Sequence, residues 1–374
     1  MKPLPTHKTK IPIGKPDIGE EEIKAVVETM RSGWVTQGEK VEEFEESFAK
    51  YCGSKYGIAV NSGTAALHMA LAALGIKEGD EVITTPLSCV ATTNPIVYQN
   101  AKPVFVDVDP ATLNIDPALI KSKITRRTKA ILPVHLFGHP VDLDPVIETA
   151  QKHDLCIIED AAQAHGAKYK GKKVGSFGHV SCFSFYADKL ITTVEGGIAL
   201  TNDQELAEKM RLLRSFGMSK HEKFQHSVLG YNYKMSDIHA AIGLVQIRKL
   251  DHNIESKRNN ITYLRKRLKH TSLKLPVELD YAFNVYYVCQ ILAERKKEKI
   301  VQRLEREGIE TRPLLSFIPE QPPYKKYRYN LKELRVAKDA HKRGFYVSNS
   351  PSLTEEELDH LASTLNKSVG DTRR

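Results

Sequence analysis

Apolar residues recur along the first half of the chain in two alternating rhythms. Ile23, Val26, Val27 and Met30 fall at helical spacing, as do Val41, Phe44 and Phe48, and they predict two amphipathic helices. The rhythm then shifts to short β-rich runs: IAV (58–60), DEVITTP (80–86), KPVFVDV (102–108), TKAILPVHLFG (128–138), LCIIED (155–160), VSCFSFY (180–186) and GGIALT (196–201). A helix is predicted from Thr64 to Leu74. Many of the runs are nearly continuous apolar stretches, and helix-like spacers separate them. Strands buried on both faces read this way, so the pattern predicts an α/β architecture with a mostly parallel sheet.

Past about residue 250 the plan changes. Charged helix-like segments at 249–270 and 295–308 flank the aromatic strand-like run YAFNVYYVCQILA. The Pro-rich RPLLSFIPEQPPYKKY and a helix from Thr354 to Leu365 follow. We expect a large α/β domain over residues 1–248, including the N-terminal segment, and a smaller α+β domain over 249–374. No internal repeat is visible, which argues against a solenoid.

The length of 374 residues agrees with about two domains. Five cysteines, an odd number with no C-x-x-C pair, argue against a disulfide scaffold and against structural zinc, so no metal site is expected. A reducing, cytoplasmic location is expected. MKPLPTHKTK is basic but leads into IPIGKPDIGEEE, not an apolar stretch, so no signal peptide is expected. Apolar runs stop well short of the ~20 residues of a membrane span, so no membrane association is expected. The net charge of +9 is dispersed except between Lys249 and Lys274. There KRNNITYLRKRLKH reads as an exposed helix face, with Tyr263, Leu264 and Leu268 as an apolar stripe. It carries no groove-reading motif, so nucleic acid is not an expected partner. A phosphorylated small substrate explains excess positive charge equally well.

Four segments sit at strand-to-loop or loop-to-helix junctions, where α/β sheets bind ligands. Asn61-Ser62-Gly63-Thr64 follows a strand and opens a helix; such a start binds phosphate, although alone it is also an ordinary cap. In Ile158-Glu159-Asp160-Ala161-Ala162-Gln163 a carboxylate ends a buried strand, which is costly unless it meets a positive partner such as a protonated ring nitrogen. Gln163 could turn back to a ring hydroxyl and Ala162 could lie under a flat ring; alternatively the carboxylate caps the next helix. Ser184-Phe185-Tyr186-Ala187-Asp188-Lys189 places a lysine beside a hydroxyl, ahead of Thr192-Thr193-Val194-Glu195-Gly196-Gly197. A lysine held in a cleft forms a Schiff base with a carbonyl, whereas most lysines are solvated surface residues. Gly230-Tyr231-Asn232-Tyr233-Lys234 is by itself a loop before a helix. Together, phosphate cradle, aspartate and lysine describe a site for pyridoxal 5'-phosphate.

The segments NSGTAAL, IIEDAAQAHGAKYKGKKVGSFG, CFSFYADKLITTVEGG and GYNYKMSDIHAAIGL, in that order, resemble the DegT/DnrJ/StrS sugar aminotransferases, pyridoxal phosphate enzymes of the aspartate aminotransferase fold (fold type I). The resemblance runs from about Ile11 to Leu365. It implies that Lys189 carries the cofactor and is the catalytic residue, that Asp160 meets the pyridinium nitrogen and that Gln163 faces the ring hydroxyl. Gly63, Thr64 and Ser184 match phosphate ligands. Asn232 matches an asparagine that reaches the phosphate of a neighbouring subunit, which implies a homodimer with shared active sites.

Within the family, TKAILPVHLFGHPVDLDPV and IETRP resemble the GDP-perosamine synthases, which transfer the amino group of L-glutamate to the 4-keto carbon of GDP-4-keto-6-deoxymannose. The rival readings are a UDP- or dTDP-linked keto-sugar, the 3-keto position, and a non-catalytic cofactor-binding regulator. Lys189 argues against the family's dehydratases, in which histidine replaces that lysine. No G-x-G-x-x-G follows the first strand, against a nicotinamide enzyme. Three positions depart from the family pattern and bear on the sugar pocket: Cys89 where an aromatic residue often stacks on the cofactor, Val194 in place of a glycine, and Pro319 in place of a histidine. Glu195 reads as a catalytic helper or a turn residue, and Trp34 as site lining or packing. His135, His139 and His165 lie near strand ends without metal-ligand spacing, and Cys156 and Cys182 read as core.

Overall fold

The computed structural model describes residues 11–14, 16–219, 224–269 and 272–370; the basic MKPLPTHKTK lies outside them. Each β-rich run of the first half contains a strand: β1 (Tyr56–Val60), β2 (Glu81–Thr84), β3 (Lys102–Phe105), β4 (Thr128–Leu132), β5 (Cys156–Asp160), β6 (Val180–Ser184) and β7 (Gly197–Thr201). They form one sheet in the order β1-β7-β6-β5-β4-β2-β3. All neighbours are parallel except at β7, which runs antiparallel to both β1 and β6. Successive side chains enter different cores: Val82, Ala130, Leu132 and Ile158 join the main cluster, and Ile83, Ile131 and Ile157 a second one on the other face. Burial on both sides is why these strands lack polar alternation.

The helix predicted at Thr64 spans Gly63–Ala73, and Val41, Phe44 and Phe48 are buried on Glu39–Cys52. The start of Glu39–Cys52 is capped from a distance: Asp237 accepts from the N–H groups of Gly38 at 2.8 Å and Val41 at 3.1 Å. On Glu20–Ser32 the stripe faces outward. Ile23 and Met30 are exposed, while Glu22 is buried on Lys249 and Gln246.

Asp237–Arg267 is one continuous helix, so the expected division at 248/249 falls inside it. It leads to a four-stranded antiparallel sheet of β8 (Leu273–Lys274), β9 (Cys289–Ala293), β10 (Arg312–Pro313) and β11 (Gly344–Val347), ordered β8-β9-β11-β10. In KRNNITYLRKRLKH, Asn259, Thr262, Arg265 and Lys266 are exposed and Leu264 of the apolar stripe is buried, but Lys257 is buried as well, a departure from a purely solvated charged face. Much of the positive charge nearby is engaged, Lys249 with Glu22, Arg258 with Glu278 and Arg267 with Asp359. No helix among the described residues is long and apolar enough to cross a membrane.

Candidate active site

The loops leaving β1, β5 and β6 converge. Gly63 packs so closely on the end of β6 that an added Cβ would lie 2.7 Å from Ser184 Cβ. Gly197 meets the same turn, with Ser62 backbone atoms 2.5 Å from an added Cβ. Glycine at both positions lets the helix start sit against two strand ends. Ser62 Oγ caps it by accepting from Ala65 N–H at 3.1 Å. The earlier N–H groups of Gly63 and Thr64 have no intrahelical acceptor, which makes this a cradle for an anion.

Asp160 ends β5 and is 4% exposed. Oδ2 accepts from Thr92 Oγ1 at 2.7 Å and Oδ1 from Ala162 N–H at 3.2 Å. Burial raises its carboxyl above the ordinary value, against the pull of those two donors and of the Lys189 charge. A carboxylate so placed favours a cationic partner. Gln163 Oε1 accepts from Phe137 N–H at 2.7 Å, so its NH2 group is the end left to donate. Lys189 lies largely buried, its Nζ donating to Tyr287 Oη at 3.3 Å and standing 3.7 Å from Asp188 Oδ1. Burial, reinforced by Asp188, pushes the Tyr287 phenol well up, so it stays protonated.

Below the site, Glu159 is fully buried. Its Oε2 accepts from His135 Nε2 at 3.0 Å and Gly175 N–H at 3.2 Å. Oε1 accepts from Phe177 N–H at 3.0 Å, Gly178 N–H at 2.8 Å and Ser181 Oγ at 2.5 Å. His135 thus has a carboxylate partner, in a structural network. Its Nδ1 accepts from Val141 N–H at 3.0 Å, which assigns the remaining hydrogen to Nε2. His165 is buried among Phe48, Phe183 and Phe185, and burial together with the Lys189 charge pushes it down to about 3.

Asn232 stands apart. It is exposed and bridges to Ser215, on a segment lying along β1 through Asn61 N–H to Tyr233 O. Tyr231 and Tyr233 stack at 4.8 Å, and His68 Nδ1 lies 2.8 Å from Tyr233 Oη. The departures Cys89 and Pro319 come together, because strand Leu87–Ser88 pairs with Ser316–Phe317 and Ile318 N–H bonds Pro86 O.

Sequence reasoning passed over Thr92, Tyr287 and Lys257. The first two carry no local signal. Lys257 did: with Leu250, Asn253, Ile254, Asn260, Ile261 and Leu264 it follows the buried stripe of the long helix.

A mostly parallel sheet, a glycine-lined helix start, a buried aspartate ending one strand and a largely buried lysine in the loop after another define a pyridoxal-phosphate enzyme of the aspartate aminotransferase fold. The residues present fit that cofactor: Gly63, lacking a Cβ, lets the helix start approach Ser184, and Asp160 offers a buried acceptor. The chain belongs to the DegT/DnrJ/EryC1/StrS aminotransferase family, whose model matches residues 16–366, and it is a pyridoxal-phosphate-dependent sugar aminotransferase. It is 39% identical over 367 residues to the GDP-perosamine synthase of Caulobacter vibrioides, covering 96% of this chain and 98% of that protein. Among solved structures, Helicobacter pylori PseC, an aminotransferase of pseudoaminic acid biosynthesis, superposes with a TM-score of 0.91 at 31% identity, over 96% of this chain and 99% of PseC. Spr1654 of Streptococcus pneumoniae in its PLP form gives 0.92 at 27% identity, over 96% and 99%.

Proposed function

We propose that this protein transfers the amino group of L-glutamate to the 4-keto carbon of GDP-4-keto-6-deoxy-D-mannose, yielding GDP-perosamine and 2-oxoglutarate. The observation that carries the choice of sugar is the 39% identity, over nearly the full length of both chains, with a GDP-perosamine synthase.

Bound at this site, the cofactor would supply an electron sink for the carbon that gives up its proton. The N–H groups of Gly63 and Thr64 and the Ser184 hydroxyl hold its phosphate at the helix start. Asp160 accepts the ring-nitrogen hydrogen, and Thr92 fixes that carboxylate in place. Gln163, held by Phe137, donates to the ring hydroxyl. Lys189 Nζ would carry the proton between the α-carbon of glutamate and the cofactor in the first half-reaction, and between the cofactor and C4 of the sugar in the second.

The working form in this reading is a homodimer in which Asn232 reaches the partner's phosphate. Its support is the match of Asn232 to the family's shared-site asparagine; Met30, Phe224 and Leu229, which are 59%, 89% and 93% exposed, are apolar positions that a partner could cover.

The test is a panel of keto-sugars linked to GDP, UDP and dTDP, each with glutamate, followed by mass spectrometry of the amino sugar. Fastest turnover of the GDP-linked 4-keto sugar is expected. Turnover confined to a UDP- or dTDP-linked sugar, or to a 3-keto sugar, overturns the assignment.

A further inference from the structure

The turn that brings Tyr287 to Lys189 is strained and heavily braced. Tyr286 has φ +47°, in the left-handed region that a bulky side chain rarely adopts. Buried side chains tie its backbone on both sides. Tyr286 N–H donates to Asn284 Oδ1 at 2.8 Å, and Tyr286 O accepts from Asn349 Nδ2 at 2.6 Å. Tyr287 N–H donates to Phe137 O at 2.9 Å, and Tyr287 O accepts from Lys257 Nζ at 3.0 Å. Lys257 also donates to Asn349 O at 2.6 Å, so one buried amine joins the turn to the strand exit after β11. Burial pushes Lys257 down to about 7, with Asp188 opposing. A buried lysine, two buried asparagines and a left-handed tyrosine are a costly combination, and such strain persists where the surroundings over-determine it. Its geometric result is the phenol of Tyr287 on the Lys189 amine. Asp188 Oδ1, buried and without a hydrogen-bond partner, stands on the same amine.

We propose that Tyr287 is a positioning partner of Lys189, its hydroxyl, with Asp188 Oδ1, forming the seat that receives the lysine amine whenever that amine is not bonded to the cofactor. This rests on the reading of Lys189 as the proton-carrying amine. The seat fixes Nζ between the Tyr287 hydroxyl at 3.3 Å and Asp188 Oδ1 at 3.7 Å. A tyrosine present only for packing would need its ring and not its hydroxyl, so Tyr287→Phe separates the two roles.

The experiment uses full-length protein stripped of cofactor. Trace labelling with acetic anhydride, read by mass spectrometry, gives the rate at Lys189 relative to Lys24, whose side chain is 78% exposed. Tyr287→Phe is expected to keep the melting temperature within about 2 °C and to raise the relative rate about fivefold, the worth of one hydrogen bond. Unchanged labelling overturns the proposal. Should the variant fold poorly, a double-mutant cycle with Lys189→Ala on urea stability reads the same contact: coupling supports the seat, and additivity overturns it. Wild-type protein that shows no visible absorption band with pyridoxal phosphate would sink the cofactor role of Lys189, while the labelling result would still decide the Tyr287 contact.

Discussion

Glu159→Gln is the sharpest probe of how the site is supported. The carboxylate is fully buried and accepts five hydrogen bonds, two on Oε2 and three on Oε1. Burial alone would raise its pKa, but the donors, led by His135, hold it at about 2 against an ordinary 4.5. The folded value lies below the ordinary one, so folding favours the ionised form. That stabilisation is complete above pH 4.5 and is lost as pH falls toward 2. Glutamine keeps the shape and removes the charge, yet its NH2 group must face donors whichever way it turns. On one side stand His135 Nε2–H and Gly175 N–H, and on the other Phe177 N–H, Gly178 N–H and Ser181. Backbone N–H groups cannot reverse, so we expect a loss of about 3–5 kcal/mol at pH 7. Urea unfolding of the cofactor-free protein, followed by circular dichroism at pH 7 and at pH 4 or below, measures it. The gap between wild type and variant should narrow as the pH falls. A loss below about 1 kcal/mol at pH 7, or a gap insensitive to pH, would refute the assignment of an ionised carboxylate held by fixed donors.

Other outcomes follow from the same geometry. Gly63→Ala drives a methyl group onto Ser184 Cβ and should weaken cofactor binding about tenfold while the protein still folds, as absorbance titration would show. Thr92→Val takes one donor from Asp160, raising that carboxyl further and weakening cofactor binding by about the 1.5–3 kcal/mol of a bond to a charged group; equal affinity in the titration would remove Thr92 from the site. Val194, a β-branched residue held at φ +70° and 45% exposed, should be better replaced by glycine, with Val194→Gly gaining about 1 kcal/mol in thermal unfolding. Leu229→Glu should shift the sedimenting species from dimer to monomer, and a monomeric wild type would end the dimer reading.

The strand runs were legible because a strand buried on both faces leaves a local signature, a short apolar run without alternation. Gly63, Asp160, Ser184 and Lys189 stand out as candidates for a related reason: each stands at or just past the point where such a run stops, and the residue types there suit one cofactor. Periodicity marks which face of an element is apolar, but it is silent on what covers that face. The stripe of Ile23 and Met30 therefore reads like that of Val41, Phe44 and Phe48, yet the first is exposed and the second is core.

The order of elements, the α/β class and the candidate residues at and beyond strand ends were thus readable from local patterns in the chain. What supports those residues emerged only from packing. Thr92 meets Asp160 across 68 positions and Tyr287 meets Lys189 across 98, joined by loops and a second sheet. Such contacts depend on how separate elements pack, and no local pattern of side chains encodes that distance. Lys257 lies between the two cases: its place in the helical stripe was written in the sequence, but the two carbonyls that make its burial tolerable exist only once the small sheet has closed over it.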